Sequence, residues 1–232
     1  MSDSSATKTL KDYRGKEMKQ FVAATIIMIL FFSGEFSIVV NEMHEFYYFI
    51  TQLIQSGFIA SAFYMYILLA DSLYSPKIKM YLVYWWMDMP GFNAFTELVN
   101  GDNHDPRIDV AEAENKYSDI ICKAKNLSGE KRKRYENKCW YKIYSRHKEE
   151  GAVNDANWTY LAYRDMAVAT VNILIFYMLL VIVFNIPCSC CAILWLLVLY
   201  LLTTFAARNK SKRLIFNVFA CDLAEYKSGN LM

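Results

Sequence analysis

From Ala167 to Ala207 the chain reads AVATVNILIFYMLLVIVF, pauses at Asn185-Ile-Pro-Cys-Ser-Cys-Cys191, and resumes as AILWLLVLYLLTTFAA, with no charged side chain anywhere. At 1.5 Å per residue, each apolar run of about 18–20 residues is long enough to cross a hydrocarbon core of ~30 Å. The pause between them allows little more than a reversal. The stretch is therefore expected to form a membrane hairpin.

A second hairpin is expected upstream, where Phe21–Val40 and Tyr47–Ala70 flank the short polar connection Asn41-Glu-Met-His-Glu45. The basic flank before Phe21 suggests a secretory signal, but the apolar run is longer than the usual ~7–15 residues and no small-x-small cleavage site follows it. An uncleaved first span fits better. The predicted fold is thus an all-α integral membrane protein, with four transmembrane helices in two hairpins and an inserted helical cytoplasmic domain. Its segments are a basic N-terminal stretch (1–20), the first hairpin (21–70), the helical domain (71–165), the second hairpin (166–207) and a C-terminal tail (208–232).

The distribution of charge orients this arrangement. Residues 1–20 hold five Lys/Arg and three acids, 21–70 hold none and three, 71–165 hold fifteen and fifteen, 166–206 hold none of either, and 207–232 hold five and two. Every basic residue lies outside the apolar blocks, and neither hairpin tip contains one. By the positive-inside rule both termini and residues 71–165 face the cytoplasm and both tips lie outside, as in a multi-pass protein of a bacterial inner membrane. The glycosylation-like patterns at Asn126 and Asn157 would then be chance matches on the wrong side of the bilayer.

In the polar domain, Pro76 is placed at a break or helix start, ahead of an aromatic-rich segment (Tyr81, Tyr84, Trp85, Trp86, Phe92, Phe95) that suits the headgroup layer. Asp105 followed by Pro106 reads as a helix cap. Tyr117, Ile120, Ile121, Ala124 and Leu127 then recur at helical spacing, and Leu-Ser-Gly at 127–129 breaks the run. Glu130 to about His147 reads as an amphipathic helix, with Trp140, Ile143, Tyr144 and His147 on one face and Arg134, Lys138, Lys142 and Arg146 on another. Trp158–Asp165 leads without a breaker into the third span. The tail offers Leu214, Ile215, Phe216, Val218 and Phe219 for a short helix docked on the domain or the membrane surface.

Polar residues inside the spans are the first functional candidates. Glu35 is the only ionisable group within an apolar run, and such groups are costly in lipid. Folding the first hairpin puts Gln52 level with it and Gln55 one turn on, so Glu35 reads either as a hydrogen-bonded pin or as a group lining an oligomeric pore. A proton relay is the third alternative. Folding the second hairpin about Cys188 puts Asn172 level with Thr204, a pairing worth about 0.6–2 kcal/mol when made across helices. The stripe Arg134, Lys138, Lys142 and Arg146 reads as a solvated face, as an anchor for anionic lipid, or as a contact for the phosphates of a nucleotide or nucleic acid. The balance of fifteen acids against fifteen bases in the domain argues against direct nucleic-acid binding.

Six cysteines without a repeated C-x-x-C argue against a disulfide framework or a zinc site. Cys188, Cys190 and Cys191 read as small interfacial residues, with a disulfide role as the alternative. The acids and His104 around residues 102–109 match no calcium loop. Phosphate-loop, serine-hydrolase and zinc-protease motifs are absent, so no catalytic residue, metal or cofactor is expected.

The segment WYKIYSRHKEEGAVNDANWTYLAYRDMAV, Trp140 to Val168, within two-plus-two spans around a small helical part, resembles uncharacterised four-pass bacterial proteins. It is similar in outline to the transmembrane effectors of nucleotide-signalling or RNA-guided antiviral systems. The resemblance implies an effector whose cytoplasmic domain senses a partner or phosphate-bearing ligand and whose helices, in a homo-oligomer, permeabilise or depolarise the membrane. The alternative is a non-conducting anchor that recruits a soluble protein.

Overall fold

The structure is a computed structural model that describes residues 10–32, 57–58, 61–100, 105–185 and 187–230. The described residues are helical, with no strand among them. In chain order the helices are α1 (Leu10–Phe32), α2 (Ser61–Leu73), α3 (Pro76–Tyr84), a 3-10 turn (Pro90–Asn93), α4 (Ala94–Asn100), α5 (Val110–Lys116), α6 (Ser118–Lys125), α7 (Gly129–His147), α8 (Gly151–Phe184) and α9 (Cys190–Asn230).

Two helices among the described residues, α8 and α9, are long and apolar enough to cross a membrane, where the sequence predicts four. Of the expected first hairpin, the described residues hold only Phe21–Phe32, at the end of α1, and the short apolar helix α2 with residues 57–58 before it. The remainder of the expected first hairpin, residues 33–56 and 59–60, lies outside the described residues.

The chain divides into two compact units. The first comprises residues 1–83 and 161–207. There α1, α2, α8 and α9 share one apolar core: Val22, Ile26 and Ile29 meet Phe63 and Ile67, Ala169, Ile173 and Tyr177, and Ala192 and Leu196. Phe176 stacks on Tyr66 with centroids 4.5 Å apart and takes the edge of Phe63 at 4.7 Å. At the reversal after α8, Asn185 adopts a left-handed φ of 51°, which asparagine tolerates better than most residues, and Pro187 prevents the helix from resuming at once. Ser189 then pins the turn: its Oγ donates to the Phe32 carbonyl at 2.8 Å, and its backbone N–H donates to the Tyr177 hydroxyl at 3.1 Å.

The polarity of α8 and α9 in this unit is inside-out relative to a water-soluble bundle. Ile175, Leu179, Ile182 and Val183 on α8, and Leu194, Leu197, Leu202 and Phe205 on α9, are exposed, whereas Thr170, Asn172, Thr203 and Thr204 are buried. In water, exposing that many large apolar groups forfeits ~1.5–3 kcal/mol for each side chain that burial would have stabilised. In lipid it costs nothing.

The second unit comprises residues 84–160 and 208–232. The tail is not a separate short helix, as expected, but the last part of the continuous α9. No glycine or proline stands between Ala207 and Ser228 to interrupt it. Its Leu214, Ile215, Phe216, Val218, Phe219 and Leu223 are buried, and Phe219 closes an aromatic cluster with Phe95 and Tyr117. Glu136 on α7 is fully buried and caps α4: its Oε2 accepts from the N–H groups of Phe95 and Thr96, each at 3.0 Å, and Oε1 from the Thr96 hydroxyl at 2.6 Å. Gly91 sits so close to α7 that a Cβ would lie 2.5 Å from Asn137 Oδ1.

Pro76 opens α3 as expected. The aromatic segment after it splits: Tyr81 and Trp86 are exposed, while Tyr84 and Phe95 are buried. Trp85 takes a φ of 54°, unusual for so bulky a residue, and the Arg208 guanidinium lies 4.4 Å from its ring centroid. The cap predicted at Asp105 is instead made by Asp109, whose carboxylate accepts from Ala111 and Glu112 N–H groups. Asp105 is engaged elsewhere, with the Arg107 backbone and guanidinium, so Pro106 and Arg107 form a turn ahead of the helix.

Candidate functional site

The richest chemical constellation of the second unit gathers around His147, the last residue of α7. The helix turns its apolar stripe of Trp140 and Ile143 inward, and His147, one turn on, follows them into the interior at 3% exposure. Its Nδ1 meets Glu150, just ahead of α8, and its Nε2 lies 2.9 Å from Asp222 Oδ1 on α9. Both neighbours are carboxylates, so only an imidazolium can donate from both nitrogens. Burial works against that charge, but the bonds to Glu150 and Asp222 outweigh it and hold the His147 pKa above its ordinary value.

Asp222 is 1% exposed and is the hub of the network. Its Oδ2 receives the Tyr117 hydroxyl at 2.6 Å and the Lys116 ammonium at 2.7 Å, and the Arg146 guanidinium stands 3.8 Å from Oδ1. Burial would raise its pKa, yet the donors Lys116, Tyr117 and His147 pull it below the usual carboxylate range. Glu150 is also lowered, by Cys221 and His147. The Cys221 thiol is pushed up to about 11 by burial and by Glu150, which makes it a poor nucleophile near neutrality.

His147, Asp222 and Glu225 present ligand atoms within 4.8 Å of one another, a spacing compatible with a metal ion. The donor set argues against one. Lys116 and Arg146 already supply positive charge to Asp222, and a metal would require the His147 nitrogen that the protonated ring uses as a donor. The network borders an open groove of about 980 Å³, lined by Arg107, Arg146, His147, Glu150, Cys221 and Glu225 among others. Arg107 is committed to Asp105 and to Asn217 Oδ1 at 2.7 Å.

The predicted basic stripe is displayed as expected from helical spacing. Arg134, Lys138, Lys142 and Arg146 are all exposed on α7. Arg134 faces Glu130 at 3.9 Å, whereas Lys138 and Lys142 take part in none of the ion pairs among the described residues. Arg146 belongs to both the stripe and the groove.

In the first unit Asn172 and Thr204 are both buried, but they do not bond to each other. Asn172 Oδ1 accepts from the Tyr74 hydroxyl at 2.8 Å, and Thr204 Oγ1 has no hydrogen-bond partner among the described residues. Tyr74 follows the second predicted span, and hairpin folding alone could not bring it forward as a partner. Glu35, Gln52 and Gln55 lie outside the described residues.

Sequence reasoning missed Asp222, Glu150, Lys116 and Tyr117. They come from three separate stretches of the chain, 3 to 106 residues from their partners. The one available signal was Asp222 itself, the lone charge in the largely apolar run LIFNVFACDLA. No protein family, no curated protein and no solved structure matches the chain.

Proposed function

We propose that the chain is a multi-pass protein of a bacterial inner membrane, with both termini and the second unit in the cytoplasm, and that it acts as an oligomeric membrane effector. In this reading the second unit senses a partner or a phosphate-bearing ligand through the Arg134–Arg146 stripe, and the apolar helices respond by permeabilising the bilayer. The supporting observation is the inside-out polarity of α8 and α9, which turn apolar side chains outward while Asn172, Thr203 and Thr204 are kept inside. That is the pattern of helices that live in lipid and reserve their polar groups for a protein interior. Four spans are few for a solute path, so a homo-oligomer is part of the proposal. An antiviral setting is the biological context that the resemblance implies.

Efflux of a trapped dye from liposomes containing the purified protein tests this reading, with Glu35→Gln measured alongside. Leakage that rises with protein density and changes in the mutant supports it. Liposomes that remain tight when nucleotides and cell extract are added overturn it.

The second reading is a non-conducting anchor, favoured by one feature: Lys138 and Lys142 present charge that no acid among the described residues pairs. Such an anchor would capture a soluble acidic partner and be indifferent to Glu35→Gln.

A further inference from the structure

The open groove of about 980 Å³ in the second unit has two walls. One holds Arg146, at the end of α7, and Glu150, just ahead of α8. The other is α9, which presents Ala220, Ala224 and Ser228 at intervals of four residues, a single stripe of small side chains along the helix. Small side chains at a contact let a second helix approach closely. Two turns of a helix about 10 Å across occupy roughly 850 Å³, so the groove has room for one.

The charges narrow the choice of occupant. Arg107 and Arg146 share the groove with Glu150 and Glu225, so an isolated phosphate would meet two carboxylates and a metal ion two guanidinium groups. No large apolar side chain lines the groove, which offers an acyl chain nothing to pack on. A protein face that carries both signs complements both walls.

Arg107 is engaged within the chain by Asp105 and Asn217, and Glu150 by His147. Arg146 and Glu225 are held far more loosely. Their side chains are 65% and 74% exposed. The Arg146 guanidinium stands 3.8 Å from Asp222 Oδ1 and Glu225 Oε2 stands 3.7 Å from His147 Nε2, both beyond hydrogen-bond distance. The two belong to opposite walls, and no ion pair among the described residues joins them. A helix that fills the groove must therefore bring small residues along one stripe and a carboxylate to Arg146. The last part of α9 itself has that composition, with Glu225 directly after Ala224.

We infer that the groove is an isologous contact between two copies of this chain. The Ala220–Ser228 face of each copy lies in the groove of the other, and Arg146 of one copy meets Glu225 of the other, twice about a two-fold axis. The inference rests on the reading of the chain as a homo-oligomer, for which it names the surface, and does not require that the assembly permeabilise a membrane.

The test co-expresses two differently tagged copies of the full chain and measures how much of one is retrieved with the other in mild detergent. Parent copies are expected to retrieve each other. Arg146→Glu in both copies, or Glu225→Arg in both, sets like charges face to face and is expected to lower retrieval at least about tenfold. One Arg146→Glu copy combined with one Glu225→Arg copy regains both opposite-charge contacts, and retrieval is expected to return to within about twofold of the parent. The same two variants fail apart and succeed together, so misfolding does not account for the pattern. Ala224→Trp places a bulky ring on the exposed stripe away from the buried charges, and is expected to abolish retrieval while melting near the parent temperature. The inference is overturned if parent copies do not retrieve each other, if the mixed pair does no better than the unmixed ones, or if Ala224→Trp copies behave like the parent. Retrieval untouched by any of these changes overturns this surface and leaves a homo-oligomer held elsewhere. Tight liposomes in the efflux assay would end the effector reading and leave a positive result here standing.

Discussion

His147 Nε2 lies 2.9 Å from Asp222 Oδ1, and both side chains are shut away from water. The pair ties the end of α7 to α9, Glu150 adds the turn before α8, and Lys116 and Tyr117 add the end of α5. Charges of both signs thus meet in one buried place. Removing one of them leaves the others uncompensated, which is more damaging than never having had the network.

His147→Ala is therefore expected to destabilise the second unit by about 2–4 kcal/mol. The pH dependence has a definite sign. Because the folded-state pKa of His147 is raised, its contribution is complete below the unfolded value of about 6.5 and is lost as pH climbs through the higher folded value. Asp222 and Glu150 are lowered, so their contribution is present at neutral pH and fades as acid protonates them in the fold. Melting curves of the detergent-solubilised protein should give a stability maximum near or just below neutrality, with an alkaline fall that His147→Ala removes. An unchanged alkaline fall in the mutant would show that another group is responsible.

Glu136 provides a second and independent prediction. Its carboxylate accepts two backbone N–H groups and a hydroxyl at the start of α4 from a fully buried position. Glu136→Gln keeps the shape but replaces one acceptor oxygen with an NH₂ group that faces donors. The expected loss is about 2–3 kcal/mol, seen as a lower melting temperature. A change below about 0.5 kcal/mol would mean that α4 is capped in another way.

The helical class, the reversal at residues 185–191 and the faces of α7 were all legible in the sequence, because each follows from local chemistry: run length, an Asn and Pro at a turn, and apolar spacing of three and four. What was not legible depended on distance along the chain. Tyr74 reaches Asn172 across 98 residues, and Tyr117 reaches Asp222 across 105. Hairpin folding supplied Thr204 as the partner of Asn172 because it considers only the adjoining helix, whereas the bend just after α2 delivered the hydroxyl. The cap moved from Asp105 to Asp109 for a related reason. Arg107 competes for the Asp105 carboxylate, and cap propensity alone takes no account of a competitor four residues or fewer away.

Lys138 and Lys142 separate a binding role from a structural one. Both are exposed and outside the ion pairs among the described residues, so a Lys138→Glu, Lys142→Glu double mutant should melt within about 0.5 kcal/mol of the parent. Co-sedimentation with anionic liposomes, or capture of an acidic partner, should fall at least about tenfold and show a steep salt dependence in the parent that the mutant lacks. Equal binding by both proteins would reduce the stripe to a solvated face.

The native cysteines test the proposed orientation without any engineered tag. Cys188, Cys190 and Cys191 are exposed at and just after the α8–α9 reversal, and Cys122 is exposed on α6 in the second unit. If the charge distribution sets topology, the first three lie outside the membrane and Cys122 lies in the cytoplasm. A membrane-impermeant maleimide added to intact cells, with the outer membrane made permeable, should label the protein at the reversal. A Cys188→Ser, Cys190→Ser, Cys191→Ser variant should stay unlabelled until the inner membrane is broken, when Cys122 reacts. Labelling of Cys122 in intact cells, with the three reversal cysteines protected, would invert the topology. The basic stripe would then face away from cytoplasmic nucleotides, and the sensing role proposed for the second unit would fall with it.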